Sequence, residues 1–199
     1  MGIYSGVLTR EQFMFREMRI VAQFHKQGLQ EEEILERVFH ANLFQYPTER
    51  EIKGKCRAAL KRLRCIASSD ALVDFLAEGT VCEAKLAAMV AMMCQSRLVA
   101  EFMTEVIGEK YKTLDMSFTP KDMNLFFVRL CERDADVSGW SASTVRRIKS
   151  VLMNVLRENG YLEKQGSETL CPVLISDAFR RALEDAGLQR FLTVFYTID

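Results

Sequence analysis

Apolar side chains recur at intervals of three and four along most of this chain, the period of an amphipathic α-helix. Phe13, Ile20, Val21 and Phe24, with Glu17 in register, set that spacing across 9–26, and Gly28 ends it. A second helix covers 31–41. Its first turn holds Glu31, Glu32 and Glu33, where the helix dipole favours anions. After a loop at 42–47, Thr48 and Glu51 stand at capping-box spacing and open a third helix that reaches about residue 66. Ser68-Ser69-Asp70 interrupts the period and marks a boundary between an N-terminal helical domain, 1–68, and a C-terminal one, 69–199.

In the second domain, helices follow at 70–77 and, from the capping pair Thr80 and Glu83, to about 94. The stretch 97–111 continues helical, with or without a kink at Gln95-Ser96. Thr119-Pro120 places a cap before a proline in the first helical position and starts a helix to 133. Past a turn at Ser138-Gly139-Trp140-Ser141, either Ser141 or Ser143 caps a helix that Gly160 terminates. The segments 161–163 and 169–175 read as strands about a tight turn at 164–167. Ser176 then caps a helix to about 186, and a short last helix holds Phe191 and Phe195. The expected fold class is therefore mainly α, with two helical lobes. In the C-terminal lobe the order helix, turn, basic helix, β-hairpin at about 119–176 resembles a winged helix-turn-helix. The eight residues 134–141 are long for the turn of such a unit, and winged domains also serve to dock proteins.

Composition narrows the class. At 49% hydrophobic and 27% charged, the 199-residue chain is too apolar for disorder and long enough for a substantial core. Its longest uninterrupted apolar run, 86–94, has nine residues, far short of a membrane span. MGIYSGVLTREQ lacks the basic-then-apolar order of a secretory leader. None of the six cysteines lies in a CxxC pair, which suits reduced thiols in a cytoplasm better than a disulfide framework or a zinc site. The 27 basic and 27 acidic residues cancel overall, but 1–68 carries a net +4 and 69–199 a net −4. A polyanion would thus be met by a patch, not by the whole surface.

Two helices supply such patches. In the third, Arg50, Lys53, Arg57, Lys61 and Arg64 fall within about 80° of arc at roughly 100° per residue. Lys55 and Arg62 lie on a flank, and Ile52, Cys56, Ala59, Leu63 and Ile66 form the docking side. A row of cations repels itself unless something neutralises it. The phosphates of double-stranded DNA would do so, as would acids elsewhere in the chain, such as the Glu31–Glu36 cluster. In the helix at 143–158, Val145, Ile148, Leu152, Val155 and Leu156 make the buried stripe. The opposite face presents Ser143, Arg146, Arg147, Ser150, Asn154 and Arg157, side chains suited to base edges and phosphates. Lys164, at the tip of the expected hairpin, would add a backbone contact.

Little points to catalysis. His25 and His40 have no partner at a metal or acid–base spacing, and Glu132, Asp134 and Asp136 read as a solvated loop. No phosphate-binding glycine loop, nucleophile elbow or metal-spaced cysteine and histidine set is present, so neither an enzyme nor a cofactor or metal site is expected. Met89, Met92, Met93 and Met103 read as core, and of the adjacent Phe126 and Phe127 at most one faces the same core.

YSGVLTREQFMFREMRIVAQFHKQGL, FQYPTEREIKGKCRAALKRLR and GWSASTVRRIKSVLMNVLRENGYLE, in that order, resemble the BrxA family, a small component of bacterial BREX phage-exclusion systems. The likeness spans nearly the whole chain. It implies a non-enzymatic cytoplasmic defence protein that acts with other BREX proteins, a methyltransferase and ATPases among them. It also implies binding to double-stranded DNA, and it brings no catalytic residue. The alternative from the residues is an assembly adaptor whose basic helices dock acidic surfaces of partner proteins.

Overall fold

A computed structural model describes Tyr4 and residues 6–197. Met1–Ile3 and Ser5 lie outside the described residues, so the reading of the opening residues as free of a leader falls partly outside them. Among the described residues there are eleven α-helices and no strand. They are α1 (Phe15–Lys26), α2 (Glu31–His40), α3 (Glu49–Leu63), α4 (Asp70–Glu78), α5 (Val81–Gln95), α6 (Arg97–Phe102), α7 (Glu109–Lys112), α8 (Pro120–Arg133), α9 (Ala135–Ser138), α10 (Ala142–Glu158) and α11 (Asp177–Asp185). A π-helical stretch, Met103–Gly108, joins α6 to α7, and 3-10 turns occupy Gly6–Thr9 and Gln189–Val194.

Local chemistry sets most of the helix starts. Thr48 accepts from the Glu51 N–H, and Ser69, Ser96, Ser141 and Ser176 cap in the same way. Thr80 with Glu83 and Thr119 with Asp122 form reciprocal boxes, the latter followed by Pro120. Gln30 with Glu33 makes a further box at α2. Each such cap contributes about 1 kcal/mol. Gly160, in the left-handed region at φ 78°, follows the end of α10 as a C-terminal glycine should.

Helix α5 lies at the centre, and every residue from Leu86 to Met93 is buried. Against it pack α1, α3 and α4, and α1 also contacts α3 and α4. The chain bends by 115° between α5 and the rod formed by α6, the π-helical stretch and α7. No single helix among the described residues is long and apolar enough to cross a membrane. Ser68–Asp70 is a helix break at which packing does not stop, because one apolar core runs from Tyr4 to Phe195 through both halves. The Gly6–Thr9 turn reaches across to α10, and α11 closes on α4 with Phe75 and Phe179 rings 5.0 Å apart.

Four expectations need correction. Phe126 and Phe127 are both buried in the one core, not one of them alone. The β-hairpin of the winged-helix reading is absent, and with it the winged detail. Residues 161–175 run as irregular chain whose backbone bonds go several ways: the Cys171 N–H donates to the Tyr161 carbonyl, the Leu170 N–H to Met116 and the Phe118 N–H to Glu168. A single antiparallel bridge, Ser117 to Thr169, is the whole of the pairing. The buried Tyr161 side chain fixes this course instead, donating its hydroxyl to the Val194 carbonyl at 3.0 Å. Helix α1 begins at Phe15 and not at residue 9, because the carbonyls of Glu11, Gln12 and Phe13 turn outward from the chain to Arg62. Part of the long connection 134–141 is itself helical, with the Asp134 carboxylate capping α9 through the Asp136 and Val137 N–H groups.

Candidate nucleic-acid interface

Helix α3 buries Ile52, Cys56, Ala59, Leu60 and Leu63 and turns Arg50, Arg57, Lys61 and Arg64 to solvent. Thr48 fixes where the helix starts, and so which residues share a face. The cations differ in their engagements. Arg64 grips Glu31 with two bonds, Nε to Oε1 at 2.7 Å and Nη2 to Oε2 at 3.0 Å. Lys53 is half-buried, with Nζ 3.9 Å from the Phe39 ring centre and 3.6 Å from Glu49. Arg50, Arg57 and Lys61 have no carboxylate within 4.0 Å among the described residues. Neutralisation by the acidic start of α2 therefore applies to Arg64 alone, and three exposed cations stand along about 16 Å of rigid helix.

The flank residues of α3 have a different task. Lys55 donates to the Arg10 carbonyl at 2.6 Å. Arg62 is fully buried and donates to the carbonyls of Glu11, Gln12 and Phe13 and, at 2.8 Å, to Gln95 Oε1. Burial lowers its pKa to about 10, with Glu11 and Glu17 opposing, so the side chain stays charged near neutrality. The periodicity of α3 gives no sign of this partner, which lies some fifty residues away.

Helix α10 buries Ile148, Val151, Leu152, Val155 and Leu156, with Val145 half-buried. Ser141 is its cap, accepting from the Thr144 N–H at 3.2 Å. On the polar side Ser143, Arg146, Arg147 and Ser150 are exposed, whereas Asn154 and Arg157 are half-buried. Arg157 donates weakly to Asn154 Oδ1 at 3.4 Å, and its Nε is buried without a partner. Ser150 donates back to the Arg146 carbonyl at 3.0 Å. The accessible part of this face is thus the first two turns of the helix. Lys164 is exposed in a turn where Gly166 takes φ 81°.

The two basic helices are tied to one segment. The Gly6–Thr9 turn packs on α10, while the next carbonyls, from Arg10 to Phe13, are held by Lys55 and Arg62 of α3. Lys85 of α5 also reaches α10, meeting Glu158 at 2.7 Å. Sequence reading missed Arg62 and a groove beside the π-helical stretch, which is assembled from three remote segments.

Among the described residues no group of three or more His, Cys, Asp or Glu side chains is placed to hold a metal ion. All six cysteines carry free thiols, and burial pushes Cys56 and Cys94 up to about 11.

Comparison with known proteins gives a consistent picture. The chain is 29% identical over 163 residues to BREX protein BrxA of Bacillus cereus (strain H3081.97), covering 82% of this chain and 80% of that one. It is 23% identical over 191 residues to BREX protein BrxA of Escherichia coli O9:H4 (strain HS), covering 96% and 89%. The crystal structure of an uncharacterized protein from Magnetospirillum magneticum superposes with a TM-score of 0.80 at 19% identity, over 96% of this chain and 97% of that one, which shows a shared fold. The BrxA sequence profile matches residues 2–187, nearly the full length, and the chain belongs to the BrxA family.

Proposed function

We propose that this protein is a non-enzymatic, cytoplasmic component of a BREX phage-exclusion system that binds double-stranded DNA, mainly through the phosphate backbone. The relatives named BREX protein BrxA support the system. The observation that carries the DNA reading is the row Arg50, Arg57 and Lys61, exposed on one helix and unclaimed by any carboxylate within 4.0 Å among the described residues. Arg146 and Arg147 on the first turns of α10 offer a second contact, with Ser143 and Ser150 allowing close approach. Other BREX proteins are the expected partners.

Three phosphate contacts would give a slope of log affinity against log salt of about −2.7 from α3 alone. The test is fluorescence anisotropy with duplexes of unrelated sequence across a salt series. The paired substitution Arg57→Glu and Lys61→Glu should weaken binding to all duplexes alike and reduce the slope by about 0.9 for each phosphate no longer neutralised. Unchanged affinity and slope, with an unchanged circular-dichroism spectrum, would overturn the reading and assign the row to docking of an acidic protein surface.

A further inference from the structure

The bend after α5 leaves a groove of about 1480 Å³ between the rod of α6, π-helical stretch and α7, the end of α8, and the chain at 190–197. It is larger than the ~300–1,000 Å³ typical of small-molecule sites, so it suits a chain segment better than a metabolite. Thr104, Glu105 and Gly108 line it from the π-helical stretch Met103–Gly108, a rare geometry that tends to occur at functional positions. Gly108 permits its narrow side: a Cβ there would stand 3.2 Å from the Thr193 carbonyl and hydroxyl.

The lining joins cations to apolar surface. Five basic and three acidic side chains face the groove. Arg97 pairs with Glu101 at 2.6 Å and Arg133 with Glu105 at 2.7 Å, while Lys112 stands 3.7 Å from Glu109. Arg129 and Arg190 are exposed with no carboxylate within 4.0 Å among the described residues. Beside them lie Phe191, Leu192 and Tyr196. At the rim Leu114 is 70% exposed; its φ of 55° closes the C-terminus of α7, where the Asp115 N–H bonds to the Lys110 carbonyl and the Leu114 N–H to Tyr111. Past Arg129 the groove continues into a shallower pocket of about 220 Å³ lined by Leu125, itself 50% exposed.

We propose that this groove docks an acidic, amphipathic peptide segment of a partner protein. Its carboxylates meet Arg129 and Arg190, and its apolar side chains rest on Leu114, Leu192 and Tyr196. The excess of positive charge selects the sign of the segment, and the apolar wall supplies burial that a free anion would not use. The site is distinct from the α3 row and does not depend on DNA binding.

The test is selection of wild-type protein against a random linear peptide library, followed by anisotropy with the enriched peptides. Wild type should enrich peptides that combine Asp or Glu with bulky apolar residues. Arg129→Glu with Arg190→Glu should weaken them about tenfold or more, as expected when charge-assisted hydrogen bonds are removed. The same peptides with their acids changed to Lys should regain affinity for that variant, and the Arg57→Glu, Lys61→Glu protein should bind as wild type does. No enriched peptide, equal binding to the groove variant, or weakened binding in the α3 variant overturns the proposal. Binding of single-stranded oligothymidine that disappears in the groove variant also overturns it, in favour of a nucleic-acid occupant.

Discussion

Arg62→Ala tests the account of how the basic helix α3 is held. The guanidinium of Arg62 is the only donor described for the carbonyls of Glu11 and Gln12, and it also serves Phe13 and Gln95. Truncation leaves these acceptors facing a cavity. Each buried acceptor left unsatisfied costs about 1–3 kcal/mol. Some of that is recovered because a cation no longer has to be desolvated, and water can enter the space. For the four acceptors together a net ~3–5 kcal/mol remains after that recovery. For a chain of this size each kcal/mol moves Tm by about 2–4 °C, so a fall of about 6–20 °C is expected. Arg62→Met fills much of the volume without any donor and separates packing from hydrogen bonding; it should remain close to Arg62→Ala. Arg62→Lys should lie between, since an ammonium reaches fewer carbonyls. Calorimetric or fluorescence melting of the four proteins decides it. A Tm for Arg62→Ala within about 2 °C of wild type, or full recovery by Arg62→Met, would refute the role given to the hydrogen bonds.

Alkaline stability offers a second check. Burial pushes Cys56 and Cys94 up to about 11, and burial together with a hydroxyl bond to Glu17 raises Tyr46 to about 12. In the unfolded chain these groups ionise at their ordinary values, 9.0 and 10.0, so that state releases protons first. Their contribution is complete below about pH 9 and is lost as pH rises toward 11 and 12; the urea midpoint should fall across that window, and a flat profile would contradict the burial assignments. On α10, Arg157→Met should be neutral or slightly stabilising in a denaturant melt, because it removes a buried Nε that has no partner. Arg147→Ala, at an exposed position, should change stability by no more than about 0.5 kcal/mol while weakening duplex binding in the anisotropy assay.

Much of the helical order was legible because its causes are local. Thr48, Thr80, Thr119, Ser141 and Ser176 each act on a neighbour three residues away, and a spacing of three can be read from the letters. The failures share one cause, a partner far along the chain. Residues 9–14 carry helical spacing, yet the carbonyls of Glu11, Gln12 and Phe13 answer to Arg62. Residues 169–175 look like a strand, but their backbone bonds are divided among Met116, Tyr161 and Tyr196, and Tyr111 donates its hydroxyl to the Cys171 carbonyl. The exposed cations of α3 were legible as a face. That Arg64 is already paired was only one of the possibilities until Glu31 was seen beside it. The groove was not legible at all, since Arg97, Arg129 and Arg190 meet only through the bend at Gln95-Ser96.

The packing of the Gly6–Thr9 turn on α10 bears on how the molecule is made. During synthesis residues 6–9 leave the ribosome long before residues 142–158 exist, so this seat is empty while α1 to α5 are free to assemble. Closing a loop of that length costs about 4 kcal/mol of chain entropy beyond a constant, so the seam closes last and contributes little to the early transition state. Substitutions at buried Leu8, the apolar side chain that the turn brings to the core, should then speed unfolding while leaving the refolding rate nearly unchanged.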